Sequence, residues 1–154
     1  MFIEKLLLVA GEGAIPSIIY RSALEKKIEV VWIGFRFLHY HDQEIPHHLV
    51  DEFSLTALLQ FMQVFQTNNL CLAGKFPRSF LFQKNHINND LNTIIKQLSG
   101  YQDDQVFNTI LQVLKQQGLK LISPVEFLQE HLTPLGNLTH RVPNEIEWND
   151  IRYG

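Results

Sequence analysis

The sequence has a single cysteine, Cys71, so neither a disulfide nor a cysteine-built metal site can form within one chain, and a reducing, cytoplasmic setting is expected. No basic run is longer than Lys26-Lys27 and the formal net charge is −3, so no basic excess points to nucleic acid. The apolar runs are too short to cross a bilayer. The N-terminus enters a strand-like run with no basic stretch before it, so no secretory signal is expected. A Walker loop, a nucleophile elbow, a helical His-Glu-x-x-His pair and zinc-finger spacing are all missing. What is present is 154 residues, 45% hydrophobic and 19% charged, with eleven Phe, which is material for one domain with one sizeable core.

Hydrophobic spacing predicts the elements. Phe2 to Ala10 reads as a buried strand ended by glycine, and Glu29 to Phe35 as a second ended at Gly34. Between them Ile18, Ile19, Ala23 and Leu24 recur at helical spacing from Pro16 to Lys27, with proline suited to the first turn. Residues 36 to 53 read as irregular and histidine-rich. Ser54 can cap a helix running to about Gln66. "LCLAGK" reads as a third strand, residues 75 to 89 as a loop or a short irregular element, and Leu91 to Leu98 as a modest helix. Asp103 or Asp104 can cap a helix carrying Val106, Ile110, Leu111, Val113 and Leu114, which Gly118 closes. "LKLIS" reads as a fourth strand and Pro124 opens a short helix through His131, while residues 132 to 154 have no strong period. The alternation predicts an α/β fold: a Rossmann-like open, mostly parallel sheet of about four to five strands with helices on both faces.

In such a sheet ligands sit at the carboxyl ends of the strands, where this sequence has Gly11-Glu12-Gly13, Gly34 and Gly74-Lys75. Gly-x-Gly followed by Ile15-Pro16 departs from the dinucleotide fingerprint, so nicotinamide cofactors are disfavoured. A loop for one phosphate or sugar, or a plain tight turn, stays open. Lys75 could reach a diphosphate as a point charge or be solvated, and Arg78 stands likewise. Asp103-Asp104 could support magnesium or simply cap a helix. His39, His41, Asp42, Glu44, His47 and His48 lie within ten residues. They suit either zinc or, more simply, a solvated and movable loop. His86, His131 and His140 are isolated, and Cys71 sits within an apolar strand as inert core.

Taken in order, "VAGEGAIP", "LAGKFPR", the stretch from Gly100 to Thr139 and "VPNEIEWNDIRYG" resemble the N-terminal domain of the LpxI family over nearly the whole chain. The resemblance implies that residues 1–154 are the Rossmann-like N-terminal domain of a cytoplasmic, Mg2+-dependent enzyme that hydrolyses UDP-2,3-diacylglucosamine to lipid X and UMP. The ligand would lie between two domains. The key metal-binding aspartate would belong to a C-terminal domain absent here, so this chain alone would be inactive. Carried over, Gly11, Gly13, Lys75, Asp103, Asp104, Thr139 and Arg141 are the implied substrate contacts, with no catalytic residue or metal ligand assigned to this chain. The implied partners are UDP-2,3-diacylglucosamine or lipid X, the C-terminal domain, the inner membrane surface and a second copy as homodimer, with no nucleic acid.

The chain departs from the family pattern at Glu12, where the family often has a third glycine, at Phe76-Pro77-Arg78 and at Gly100, displaced from the Asp pair. Phe76, Phe80, Leu81 and Phe82 could line a cleft for acyl chains or pack as an ordinary loop. Trp148, Ile151 and Tyr153 read as apolar residues at a domain boundary. The alternatives are a nucleotide or sugar-phosphate binding module without catalysis, or an interaction domain docking through that tail.

Overall fold

The computed structural model describes residues 3–40, 42, 44–77 and 103–154. Its elements run β1 (Lys5–Ala10), α1 (Ile15–Glu25), β2 (Glu29–Phe35), β3 (His47–Val50), α2 (Leu55–Phe65), β4 (Asn69–Ala73), α3 (Asp103–Gln116), β5 (Lys120–Leu121), two 3-10 turns (Pro124–Phe127 and Gln129–His131) and α4 (Glu145–Tyr153). The five strands form one sheet in the order β3-β2-β1-β4-β5, every pair parallel. The α/β class and the open Rossmann-like sheet expected from the sequence are both present.

β1 shows why the apolar runs do not alternate with polar residues. Leu6, Leu8 and Ala10 point to one face and pack with Trp32, Cys71, Ala73, Ile19 and Ala23 of α1, and Phe127. Leu7 and Val9 point to the other and pack with Val31, Ile33, Leu70, Leu58 of α2, and Ile110 and Leu114 of α3. A strand buried on both faces needs an apolar residue at every position. Each such side chain contributes about 1.5–3 kcal/mol on burial, more than the propensity differences that distinguish one helix residue from another.

Local chemistry sets the helix ends. The Ser54 hydroxyl accepts from the Ala57 amide and starts α2. Gly118, with φ of +87°, ends α3 as the Leu119 amide turns back to Leu114. Several expectations are corrected. The histidine-rich stretch contains a strand, β3, whose four residues are partly exposed at the sheet edge and so carry no apolar run. The fourth predicted strand shrinks to Lys120–Leu121, because Ser123-Pro124 turns the chain away. The helix predicted from Pro124 is two 3-10 turns anchored by buried Phe127. The tail contains α4, started by an Asn144–Glu147 capping box. The predicted helix at 91–98 lies outside the described residues.

Leu8→Ala, in the middle of β1, is expected to lower stability by about 2–5 kcal/mol, against about 1 kcal/mol for Ser54→Ala. Urea midpoints of the two variants check that ordering.

Candidate functional site

Strand order reverses between β1 and β4: from β1 the chain goes outward to β2 and β3, and from β4 to β5. In a doubly wound sheet the crevice for a ligand opens there. Ala10 and Ala73 are paired at that level. Beyond them the two chains turn toward each other. The Gly11 amide donates to Ala73 O at 2.7 Å, and Glu12 and Lys75 exchange both backbone hydrogen bonds at 2.9 Å in an antiparallel bridge. Glycine is required for this approach. A Cβ on Gly11 would lie 2.6 Å from the Lys75 carbonyl oxygen, and one on Gly74, whose φ is +92°, would lie 2.8 Å from Glu12 O.

The bridge commits the Gly11 and Glu12 amides to β4. The donors left for a ligand are those at the start of α1. The first amides of a helix have no intrahelical partner, no side chain caps them, and Pro16 removes one. Gly13, with φ of +98°, is exposed, and a Cβ there would meet nothing. Exposed Lys75 and partly buried Glu12 bring opposite charges to the rim. The site thus offers helix-start amides, one ammonium and one carboxylate, groups that suit an anion carrying hydroxyls.

Tyr40 borders the same rim. Its hydroxyl accepts from the Phe35 amide at 2.7 Å and donates to Ala10 O at 3.0 Å. Burial, chiefly, pushes its phenol up to about 12, and the Glu12 charge adds to the rise, so the hydroxyl remains a donor at neutral pH. Its ring packs on Trp32 and on His47, at 5.8 and 5.3 Å between centroids. Burial also lowers the pKa of His47, against the smaller opposing pull of Asp42 and the Ile45 carbonyl. Its Nε2 is shut from solvent with no partner among the described residues. Neither Tyr40 nor Glu12 was legible as a site residue, since nothing local in "FLHYHDQ" or "GEG" marks them.

The other expected contacts fall out differently. α3 ends beside the start of β4, where Asn68 Nδ2 donates to Gly118 O. Asp103 and Asp104 open that helix, and their side chains lie outside those described. Thr139 and Arg141 are exposed in the tail. Thr139 donates to Arg141 O, and Arg141 pairs with Glu147. The Asn144 amide, then Arg141, hold the Glu147 carboxyl below its usual range. The histidine cluster is divided by β3. His47 turns to Trp32 and Tyr40, while His48 packs between Phe61 and Phe65 of α2. Among the described residues no group of three or more His, Cys, Asp or Glu stands together. Phe76 packs on Phe35 at the core's edge. Arg78, Phe80, Leu81, Phe82, His86, Gly100 and His41 lie outside the described residues.

The sequence model of the LpxI N-terminal domain matches residues 5–131, from β1 through the second 3-10 turn. The chain belongs to the LpxI N-terminal domain family. That family is the N-terminal part of a lipid A biosynthesis enzyme. The match takes in both glycine loops, Tyr40 and α3. Thr139, Arg141 and α4 follow it in the chain. Comparison with curated proteins finds no match. No described helix of the domain is long and apolar enough to cross a membrane.

Two outcomes are expected. Gly11→Ala and Gly74→Ala, which must displace backbone, should lower the melting temperature more than Gly13→Ala, whose strain is about 1–2 kcal/mol. Calorimetry of the three variants checks the order. The lowered pKa of His47 makes the neutral ring the favoured folded form, so its contribution is full above the unfolded value of about 6.5 and is lost as pH falls through the folded value. The fall in melting temperature from pH 7 to pH 5 should be shallower in His47→Phe than in the parent.

Proposed function

We propose that this domain forms the substrate-binding wall of a UDP-2,3-diacylglucosamine diphosphatase that yields lipid X and UMP, working with a C-terminal domain at the cytoplasmic face of the inner membrane. The observation that supports it is the meeting of Gly11–Gly13 with Gly74-Lys75 at the β1/β4 crevice of a domain of this family. In this role the helix-start amides of α1 and the Lys75 ammonium receive the diphosphate or the sugar next to it. The Glu12 carboxylate disfavours a bare anion and favours a hydroxyl-bearing one. Asp103 and Asp104, which open α3, and Thr139 and Arg141 of the tail are further proposed contacts. Mg2+ is the implied cofactor. Among the described side chains no group of His, Cys, Asp or Glu could hold it; the family resemblance assigns its key aspartate to the C-terminal domain, and no step here runs through the ion.

A protein-docking role has one observation in its favour: Leu132, Leu135, Leu138, Ile146, Ile151 and Tyr153 are all exposed. Titration of the chain with UMP and with lipid X separates the two. Binding is expected, with shifts at the amides of Gly13, Ala14, Ile15 and Ser17. Lys75→Ala should weaken it about fivefold, the worth of about 1 kcal/mol for an exposed charge, while leaving the melting temperature unchanged. Saturating concentrations of both ligands that move no amide would overturn the substrate-binding role.

A further inference from the structure

We propose that the Tyr40 hydroxyl is the positioning group of the Gly11–Gly13 loop, inserted into the β1–β2 ladder so that it fixes the Ala10–Gly11 peptide from which the loop departs. β1 and β2 are in parallel register through Val9 and Ile33. Continued by one residue, that register would bring the Phe35 amide directly to Ala10 O. Instead the hydroxyl stands between them, accepting from Phe35 N at 2.7 Å and donating to Ala10 O at 3.0 Å. The two strands are therefore parted by one hydroxyl at their carboxyl ends, beside the crevice.

The insertion acts on one peptide group. The carbonyl of the Ala10–Gly11 unit accepts a hydrogen bond from the Tyr40 hydroxyl on the β2 side, and the amide of that same unit donates to Ala73 O at 2.7 Å on the β4 side. A peptide plane held at both its polar atoms cannot rotate, and its orientation sets the direction in which Gly11, Glu12 and Gly13 leave the sheet. The phenol is itself held. Its ring meets Trp32 at 83° and lies on His47, and Gly34 leaves the space for it. A Cβ on Gly34 would stand 3.0 Å from the hydroxyl oxygen. Residue 40 thus governs a loop nearly thirty positions away in sequence, from a stretch otherwise tied down through Arg21 to Asp42 and through buried Leu38 and Ile45.

The consequence for ligand affinity rests on the function proposed above; the positioning itself does not. Amide hydrogen exchange and 1H–15N spectra of the 154-residue chain and of Tyr40→Phe supply the test, with UMP as probe. In Tyr40→Phe the Gly11 and Phe35 amides should exchange at least tenfold faster while those of Leu7 and Leu8 keep their rates. The Gly11–Gly13 cross-peaks should move, and UMP affinity should fall about fivefold or more. Melting temperature alone would not report this, since a purely structural tyrosine would lower it without singling out these amides. Unchanged exchange and unmoved Gly11–Gly13 cross-peaks in Tyr40→Phe would overturn the proposal. If the parent binds no UMP, the ligand assignment fails, and the exchange data still decide the role of the hydroxyl. Should Tyr40→Phe not fold, Gly34→Ala, which crowds the hydroxyl, must disturb the same loop amides; a loop left unmoved there would equally overturn it.

Discussion

β1 is hydrogen-bonded along both edges, to β2 on one side and β4 on the other, and its side chains are covered on both faces. A strand held in this way resists displacement, because any shift would break two ladders and open two apolar layers at once. What leaves its carboxyl end inherits that rigidity. The Gly11–Gly13 turn therefore starts from a fixed point, and the neighbouring turn after β4 is brought against it by the Ala10–Ala73 pairing.

The glycines at this point have different duties. Gly11 and Gly74 let two backbones touch, while Gly13 supplies an unusual φ in open space and admits α1. Gly34 makes room for a tyrosine. A shared composition thus conceals three kinds of physical necessity: close approach, chirality, and space for another side chain. It also moves the emphasis of the site. The amides of Gly11 and Glu12 hold the two loops together, and the groups facing outward are the start of α1, the Lys75 ammonium and the Glu12 carboxylate.

The doubly wound strand order places a crevice at the reversal between β1 and β4, and the stretch that matches the LpxI N-terminal domain family contains both loops bordering it. The histidine-rich segment contributes support to both layers. By forming β3 it sends His47 beneath the aromatic layer that holds Tyr40, and His48 to the opposite layer with α2.

Much of the fold was legible in the sequence because it depends on local and periodic properties. Dense apolar runs marked β1, β2 and β4, helical spacing marked α1 to α3, and Ser54 and Gly118 marked two helix ends. β3 was hidden because an edge strand of four residues needs neither length nor continuous hydrophobicity, and α4 because its caps, Asn144 and Glu147, carry the signal that its exposed face does not. For the site, the glycine-ended strands and the lysine after β4 could be read directly, and the family resemblance rested on their order. That Gly11 is pressed against Lys75, and that a hydroxyl from residue 40 enters the ladder at Ala10, belong to tertiary structure alone. Those contacts join residues far apart in the chain, and no pattern along one strand or helix encodes which distant atom will arrive opposite a given carbonyl.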